Sequence, residues 1–157
     1  MRRSRQQISD ADCLEILKRG SHGILALNGE NFPYAVPLSF VLDESGSKIY
    51  FHCALEGFKL DLIRQNSHAS FCVVDCDEVI EEKFTTKYRS VICFGKIRFA
   101  DDSEKRLGLE LLGKKYSPSV DEKSLDAEID RGFDRCLVPI FEIENLTGKQ
   151  AIEFLKE

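Results

Sequence analysis

Hydrophobic positions along the chain switch repeatedly between a helical and a strand-like period. "ISDADCLEILKRG" predicts a first helix, with Ser9 as N-cap, Asp12 at the capping-box position and Gly20 as terminator. The stretch "HGILALNGENFPYAVPLSFVLDESGSKIYFHC" then alternates apolar runs with turn chemistry. Its "NGE" and "ESGS" are hairpin signals, which predicts three antiparallel strands. Pro33 and Pro37 fall in the second run. Proline offers no N–H to a ladder, so this strand is expected at an edge or around a bulge. A helix should follow His52, with Leu55, Phe58 and Leu62 at i, i+3 and i+7 and Ile63 beside them.

Further on, "ASFCVVDCD" predicts a strand, and the polar "EVIEEKFTTK" a loop or irregular extension. "YRSVICFGKIRFA" predicts a long strand with Val91, Cys93, Gly95, Ile97 and Phe99 on one face. A helix through "SEKRLGLELLGKKY" breaks at Pro118, and a shorter one places Leu125, Ile129 and Phe133 at four-residue spacing. "CLVPIFEIENLTGK" closes the pattern as a strand. About six strands arrive mostly in hairpin order, one helix following the third and two preceding the last. Regular strand–helix alternation is absent, which disfavours a parallel doubly wound sheet. The expectation is a mainly β fold with peripheral helices, a closed or nearly closed antiparallel barrel. Residues 1–157 contain no linker or repeat and form one domain by length.

Composition narrows the function classes. With 43% hydrophobic and 31% charged residues the chain is globular. The net charge is −5 and lysines and arginines are scattered, whereas nucleic-acid binding needs a concentrated basic face. The local exception, "MRRSR", has no apolar run of a secretory signal behind it and is expected to be solvated. No apolar run approaches membrane-spanning length. Six cysteines show no CxxC pair and sit mostly in apolar runs, the behaviour of buried free thiols in a reduced cytoplasm. Cys72 and Cys76 would share a strand face near His68, but structural zinc groups its ligands more tightly, and no metal is expected.

Candidate chemistry concentrates in "IYFHCALEGFKLDLIRQN". Alternation turns Ile49, Phe51 and Cys53 one way and Tyr50 and His52 the other. The helix then starts near Glu56-Gly57, leaving unpaired N–H groups and the positive end of its dipole at the junction. Gly57 permits close approach of a ligand to the backbone. Lys59 stands in the first turn, where a cation is by itself unfavourable by about 0.3–1 kcal/mol. Two readings follow from residue physics. Either Lys59 snorkels over apolar surface and His52 is an ordinary strand histidine, or a phosphate or carboxylate sits between the lysine and the amides. The chain has no Walker-type or GxGxxG loop and no GxSxG elbow.

Four stretches, "PYAVPLSFVLD", "IYFHCALEGFKLDLIRQN", "FTTKYRSVICFGKIRFADDSEKRLGLELLGKKYSP" and "LTGKQA", together resemble the pyridoxamine 5′-phosphate oxidase-like flavoproteins, most closely their nitroimidazole-resistance branch. The resemblance spans about residues 8 to 152. Its motifs are H-x-A-x-x-G-x-K, from His52 to Lys59, and Y-x-S-V-x-x-x-G, from Tyr88 to Gly95. It implies a six-stranded antiparallel split β-barrel of the FMN-binding type, a homodimer with flavin at the interface. It also implies that Val36, Pro37, Leu38 and Ser39 line the flavin ring, largely through backbone groups, and that a bulged strand explains the two prolines. His52, Gly57 and Lys59 would serve the phosphate or ribityl end; Tyr88 and Ser90 would add hydroxyls, and Arg89 would meet phosphate or the dimer contact. Tyr88 and Arg89 are equally readable as plain strand surface. The chain ends "GKQAIEFLKE" and has no tryptophan, so the resemblance does not extend to vitamin B6 oxidation.

The function implied is an FMN-dependent oxidoreductase acting on small electrophiles such as nitroaromatics. His52 would be the catalytic proton donor, since an imidazole titrates near neutrality. The alternative is the same barrel holding flavin or haem without turnover.

Overall fold

The structure, a computed structural model, describes residues 4–155. The first three residues of the arginine-rich start, expected to be solvated, lie outside the described residues. Among the described residues eight strands are formed: β1 (Gln7–Ile8), β2 (His22–Leu27), β3 (Tyr34–Ser39), β4 (Val41–Leu42), β5 (Lys48–Tyr50), β6 (His68–Ile80), β7 (Thr85–Phe99) and β8 (Pro139–Gln150). They join in one antiparallel sheet, ordered β3-β2-β6-β7-β8-β5-β4, with β1 also on β8. The two ends of this path, β3 and β4, are separated along the chain by Phe40 alone. The sheet therefore curls until its edges meet at that residue, which makes it a split β-barrel. Two strands exceed the six expected. The run through "YAVPLSFVL" breaks at Phe40 into β3 and β4, and the two residues of β1 give too short a pattern to detect.

Inward-facing residues fill the barrel. Phe71 meets Phe40 and Phe51 edge-on, with ring centroids 4.9 and 5.2 Å apart, and all three are fully buried. Burying each such ring contributes about 1.5–3 kcal/mol. Helix α1 (Asp10–Arg19) starts as expected at Ser9, whose Oγ accepts the Asp12 N–H at 3.1 Å. It buries Cys13, Ile16 and Leu17 in the core, and Cys13 lies against Gly148, which pairs with Val91 in the first half of β7. Helix α2 (Phe58–Gln65) closes the other mouth with Leu60, Leu62 and Ile63, near the end of β7. Its apolar stripe differs from the one expected. The helix begins only at Phe58, so Leu55 precedes it, and both Leu55 and Phe58 are exposed.

Helix α3 (Asp102–Tyr116) packs outside the barrel through Leu112 on Tyr50, Val138 and Ile140, and carries α4 (Glu122–Gly132) on it. At its end the Tyr116 hydroxyl laces the seam, accepting the Phe40 N–H at 2.8 Å and donating to the Ser21 carbonyl. These helices leave the outward face of β2, β6 and β7 uncovered. There Ile24, Val74, Ile92 and Phe94 are 39, 55, 38 and 47% exposed. No helix among the described residues is long and apolar enough to cross a membrane.

Two local expectations are corrected. β3 is an edge strand, but it pairs with β2 without a bulge from Tyr34 to Ser39, and Pro33 lies in the turn before it. "EVIEEKFTTK" is no irregular loop. Asp77 to Ile80 pair with Tyr88 to Thr85, so β6 and β7 continue as a two-stranded arm around a short 3-10 turn at Glu81–Lys83.

Candidate functional site

β5 and the residues after it behave as alternation requires. Ile49, Phe51 and Cys53 enter the core, Tyr50 turns outward beneath α3, and His52 follows it outward but stays exposed. Backbone bonds from the Cys53 N–H to the Leu137 carbonyl (3.0 Å) and back (2.9 Å) carry strand pairing past His52. Gly57 then caps α2 with φ +141°, a conformation L side chains rarely adopt, and open space lies where a Cβ would be. First-turn N–H groups, those of Phe58 and Lys59 among them, have no intrahelical acceptor.

Lys59 is half-buried. Burial pushes the Cys53 thiol up, and the Lys59 ammonium works against that shift, so the lysine lies close to the strand end that carries His52. Neither His52 nor Lys59 has a hydrogen bond or ion pair with any described residue. An ammonium without a partner among the described residues thus stands in the dipole-positive first turn of a helix, an arrangement that favours an anion, and the exposed His52 lies five residues before the helix cap.

β3 borders the same region. In an all-antiparallel sheet, strands an odd number of steps apart run oppositely; β3 and β5 are five apart. The Tyr34 end of β3 therefore faces the His52 end of β5 across the split, and the Tyr34 and Phe58 rings meet edge-on at 5.2 Å. Pro37 opposes Ile24. Lacking an N–H, it cannot belong to a hydrogen-bonded pair, so Leu38 and Val36 bond Gly23 and Leu25 instead. The backbone groups of Ala35, Pro37 and Ser39 consequently face the open edge. The contact of the Tyr34 and Phe58 rings brings the start of β3 to the start of α2, the helix capped by Gly57 and carrying Lys59 in its first turn.

Tyr88, Arg89 and Ser90 are not brought there within one chain. His52 lies in the cross-strand row of Val138 and Ala100, ten residues along β7 from Ser90. That is about 33 Å of strand. Tyr88 and Ser90 point outward, beside the exposed Val74 and Ile92, and Lys149 Nζ donates to the Tyr88 hydroxyl at 3.3 Å. Arg89 points the other way, toward α1. Its guanidinium lies 4.0 Å over the Phe154 ring, its buried Nε has no partner among the described residues, and it lines a pocket of about 210 Å³ with Asp12, Glu15 and Arg19. Arg19 also grips Asp75 through two bonds of 2.6 Å and holds that carboxyl below its ordinary range.

One feature went unanticipated in the sequence. Between the β2–β3 turn and α2 lies a cleft of about 460 Å³, walled by Phe32, Tyr34, Phe58 and Leu62. Its signal was present in "NFPY", an aromatic pair in what otherwise looks like a polar turn. Among the described residues, no three His, Cys, Asp or Glu side chains gather as a metal site requires.

A family model described as pyridoxamine 5′-phosphate oxidase matches residues 9–149. A Bacteroides thetaiotaomicron VPI-5482 protein, provisionally described as a 5-nitroimidazole antibiotic resistance protein, is similar in structure. Its TM-score is 0.71 at 20% identity, over 92% of this chain and 86% of that one. An FAD- and haem-binding protein from Mycobacterium smegmatis superposes with TM-score 0.74 at 21% identity, over 93% and 73%. An FAD-binding protein from Mesorhizobium loti does so with TM-score 0.63 at 22% identity, over 93% and 97%. No curated protein matches the chain. At these identities the structural likeness establishes the fold.

Proposed function

The chain belongs to the pyridoxamine 5′-phosphate oxidase family, and we propose that it is a flavin-dependent oxidoreductase of small electrophiles, nitroaromatics in particular. The observation that carries this reading is Lys59, without a partner among the described residues, beside the free amides that follow Gly57, in a helix whose first residue, Phe58, meets Tyr34 at the start of the open β3 edge. FMN has the two parts this arrangement suits, a phosphate for the junction and a ring with hydrogen-bonding edges for Ala35 to Ser39. The FAD-binding descriptions of the Mycobacterium smegmatis and Mesorhizobium loti proteins support a flavin. The resistance description of the Bacteroides protein supports the substrate class.

A bound flavin supplies the electron chemistry. The chain's own residues bind and orient. Lys59 and the first-turn amides hold the phosphate, the β3 edge fixes the ring plane, and Val36 and Leu38 turn inward to anchor that edge on the core. His52, exposed at the strand end, would hand a proton to reduced substrate.

The cofactor is proposed to sit between two copies of the chain. Tyr88 and Ser90 lie about 33 Å of strand from His52, so they reach the same flavin only from a second copy. The uncovered apolar face beside them is where that copy would pack. The setting proposed is the cytoplasm, in keeping with six free cysteines.

Anaerobic titration tests the reading. Purified protein should be yellow, bleach with NAD(P)H and recover on adding a nitroaromatic. Colourless protein that cannot be reconstituted with flavin overturns it. Yellow protein that never cycles favours the alternative, a flavin- or haem-binding module without turnover, and a Soret band would identify haem. That alternative has one specific support, the haem-binding description of the Mycobacterium smegmatis protein.

A further inference from the structure

The aromatic cleft has no role in the reading above, which needs places only for an isoalloxazine ring and a single phosphate. We infer that it is an adenosine subsite, so that the flavin held in preference is FAD; the inference rests on the flavin reading above.

Continuity comes first. Phe58 is the first residue of α2 and lines the cleft, and Lys59 follows it directly. Phe58, Leu62 and Gln65 stand at i, i+4 and i+7, one stripe of the helix facing the cleft. That stripe is about 10 Å long at 1.5 Å per residue, the scale of a nucleoside. A ligand with its phosphate at Lys59 would extend its far end along this stripe and beneath the β2–β3 turn.

Shape and chemistry agree with a purine nucleoside. A volume of about 460 Å³ lies in the range of small-molecule sites. Phe32 is 81% exposed and Tyr34 and Phe58 are held edge-on, so the walls offer an unoccupied aromatic face beside a fixed pair. Bases stack on such faces. Asn31 and Gln65 carry amides that can both donate to ring nitrogens and accept from an exocyclic amine. Glu30 is the one charged residue in the lining. Its carboxylate can accept from both hydroxyls of a ribose and would repel a 2′-phosphate, which selects adenosine with a free 2′-hydroxyl. The turn is tightly set, since a Cβ at Gly29 would strike the Phe32 carbonyl oxygen.

Apoprotein titrated separately with FAD and with FMN, followed by flavin fluorescence, tests this. FAD should bind at least about tenfold more tightly than FMN, the order expected for stacking one base. Phe32→Ala and, independently, Gln65→Ala should shrink that preference several-fold while leaving FMN affinity unchanged. Phe32 and Gln65 are exposed, so both variants should fold. Equal affinity for the two flavins, or a preference that survives both substitutions, overturns the adenosine subsite and leaves the flavin reading standing. Failure to bind either flavin overturns both.

Discussion

Lys59 and Lys115 are both half-buried ammonium groups in very different surroundings. Lys115 Nζ donates to the Gly20 carbonyl at 2.6 Å and lies 4.2 Å from the centre of the Phe40 ring, and burial lowers its pKa to about 8. The unfolded chain keeps this proton up to the ordinary 10.5, so between about 8 and 10.5 it holds more protons than the folded one. Stability contributed by Lys115 therefore rises with pH across that window and is flat below it. Urea unfolding of the wild type should gain on Lys115→Met from pH 8 upward. A constant difference would show that the ammonium is better solvated than its burial implies. Lys59 has nothing to lose in the fold, having no hydrogen bond or ion pair among the described residues. Lys59→Gln should leave the melting temperature within about a degree or two while weakening flavin binding about 10- to 100-fold, the value of one charge-assisted contact. Unchanged affinity would return Lys59 to plain surface. The junction of His52, Gly57 and Lys59 stood out in the sequence because a cation at a helix start is an anomaly, but residue physics left an ordinary surface lysine and histidine open, and the resemblance singled out the anion reading. The inward turn of Arg89 was implicit, since by parity it shares the face of Val91, Cys93, Ile97 and Phe99, but the apolar residues on both faces of "SVICF" obscured which face is inside at that end.

At the level of elements, patterning succeeded for most elements with one buried face; α2 is the exception, since Leu55 precedes it and Phe58 is exposed. α1, α3 and the second half of β7 meet solvent on one side and core on the other, and their periods are plain. The β6–β7 arm has solvent on both sides, with Val79 and Phe84 exposed at its end, so no period marks it as strand. β3 was legible as an edge from Pro37, but the missing bulge was not, because a proline facing the open side needs no distortion. Two register slips do lie along the Y-x-S-V-x-x-x-G strand, one on β6 between Val74 and Asp77, opposite Ser90 and Tyr88, and one between β7 and β8 after Phe94. Gly95 sits there, and a Cβ on it would collide with the Glu142 carbonyl oxygen. The glycine that closes Y-x-S-V-x-x-x-G thus serves backbone packing. Gly95→Ala should destabilise the fold by about 3 kcal/mol, visible as a lowered urea midpoint. A loss under about 1 kcal/mol would mean that β8 shifts freely at this point.

For the whole molecule, the unexplained surface is the outward face of β2, β6 and β7. Ile24 and Ile92 flank Cys72 across three strands, Phe94 opposes Ser70, and Val74 opposes Ser90. The sequence carries a trace of this in "SVICF", a run apolar at odd and even positions alike, as in strands covered on both faces. Among the described residues only one face of that run is covered. If a second copy covers the other by a two-fold axis, each substitution in the patch acts twice. Ile92→Lys would then place two unpaired ammonium groups in a dry contact, and the dimer dissociation constant should rise by at least about a hundredfold. Flavin affinity should fall in step, because Tyr88 and Ser90 of the second copy leave with it. Sedimentation over a concentration series with flavin absorbance gives both quantities at once. A wild-type monomer that keeps its flavin would break the link between the apolar face and the site. A variant that stays dimeric with normal flavin affinity would place the contact elsewhere on the surface.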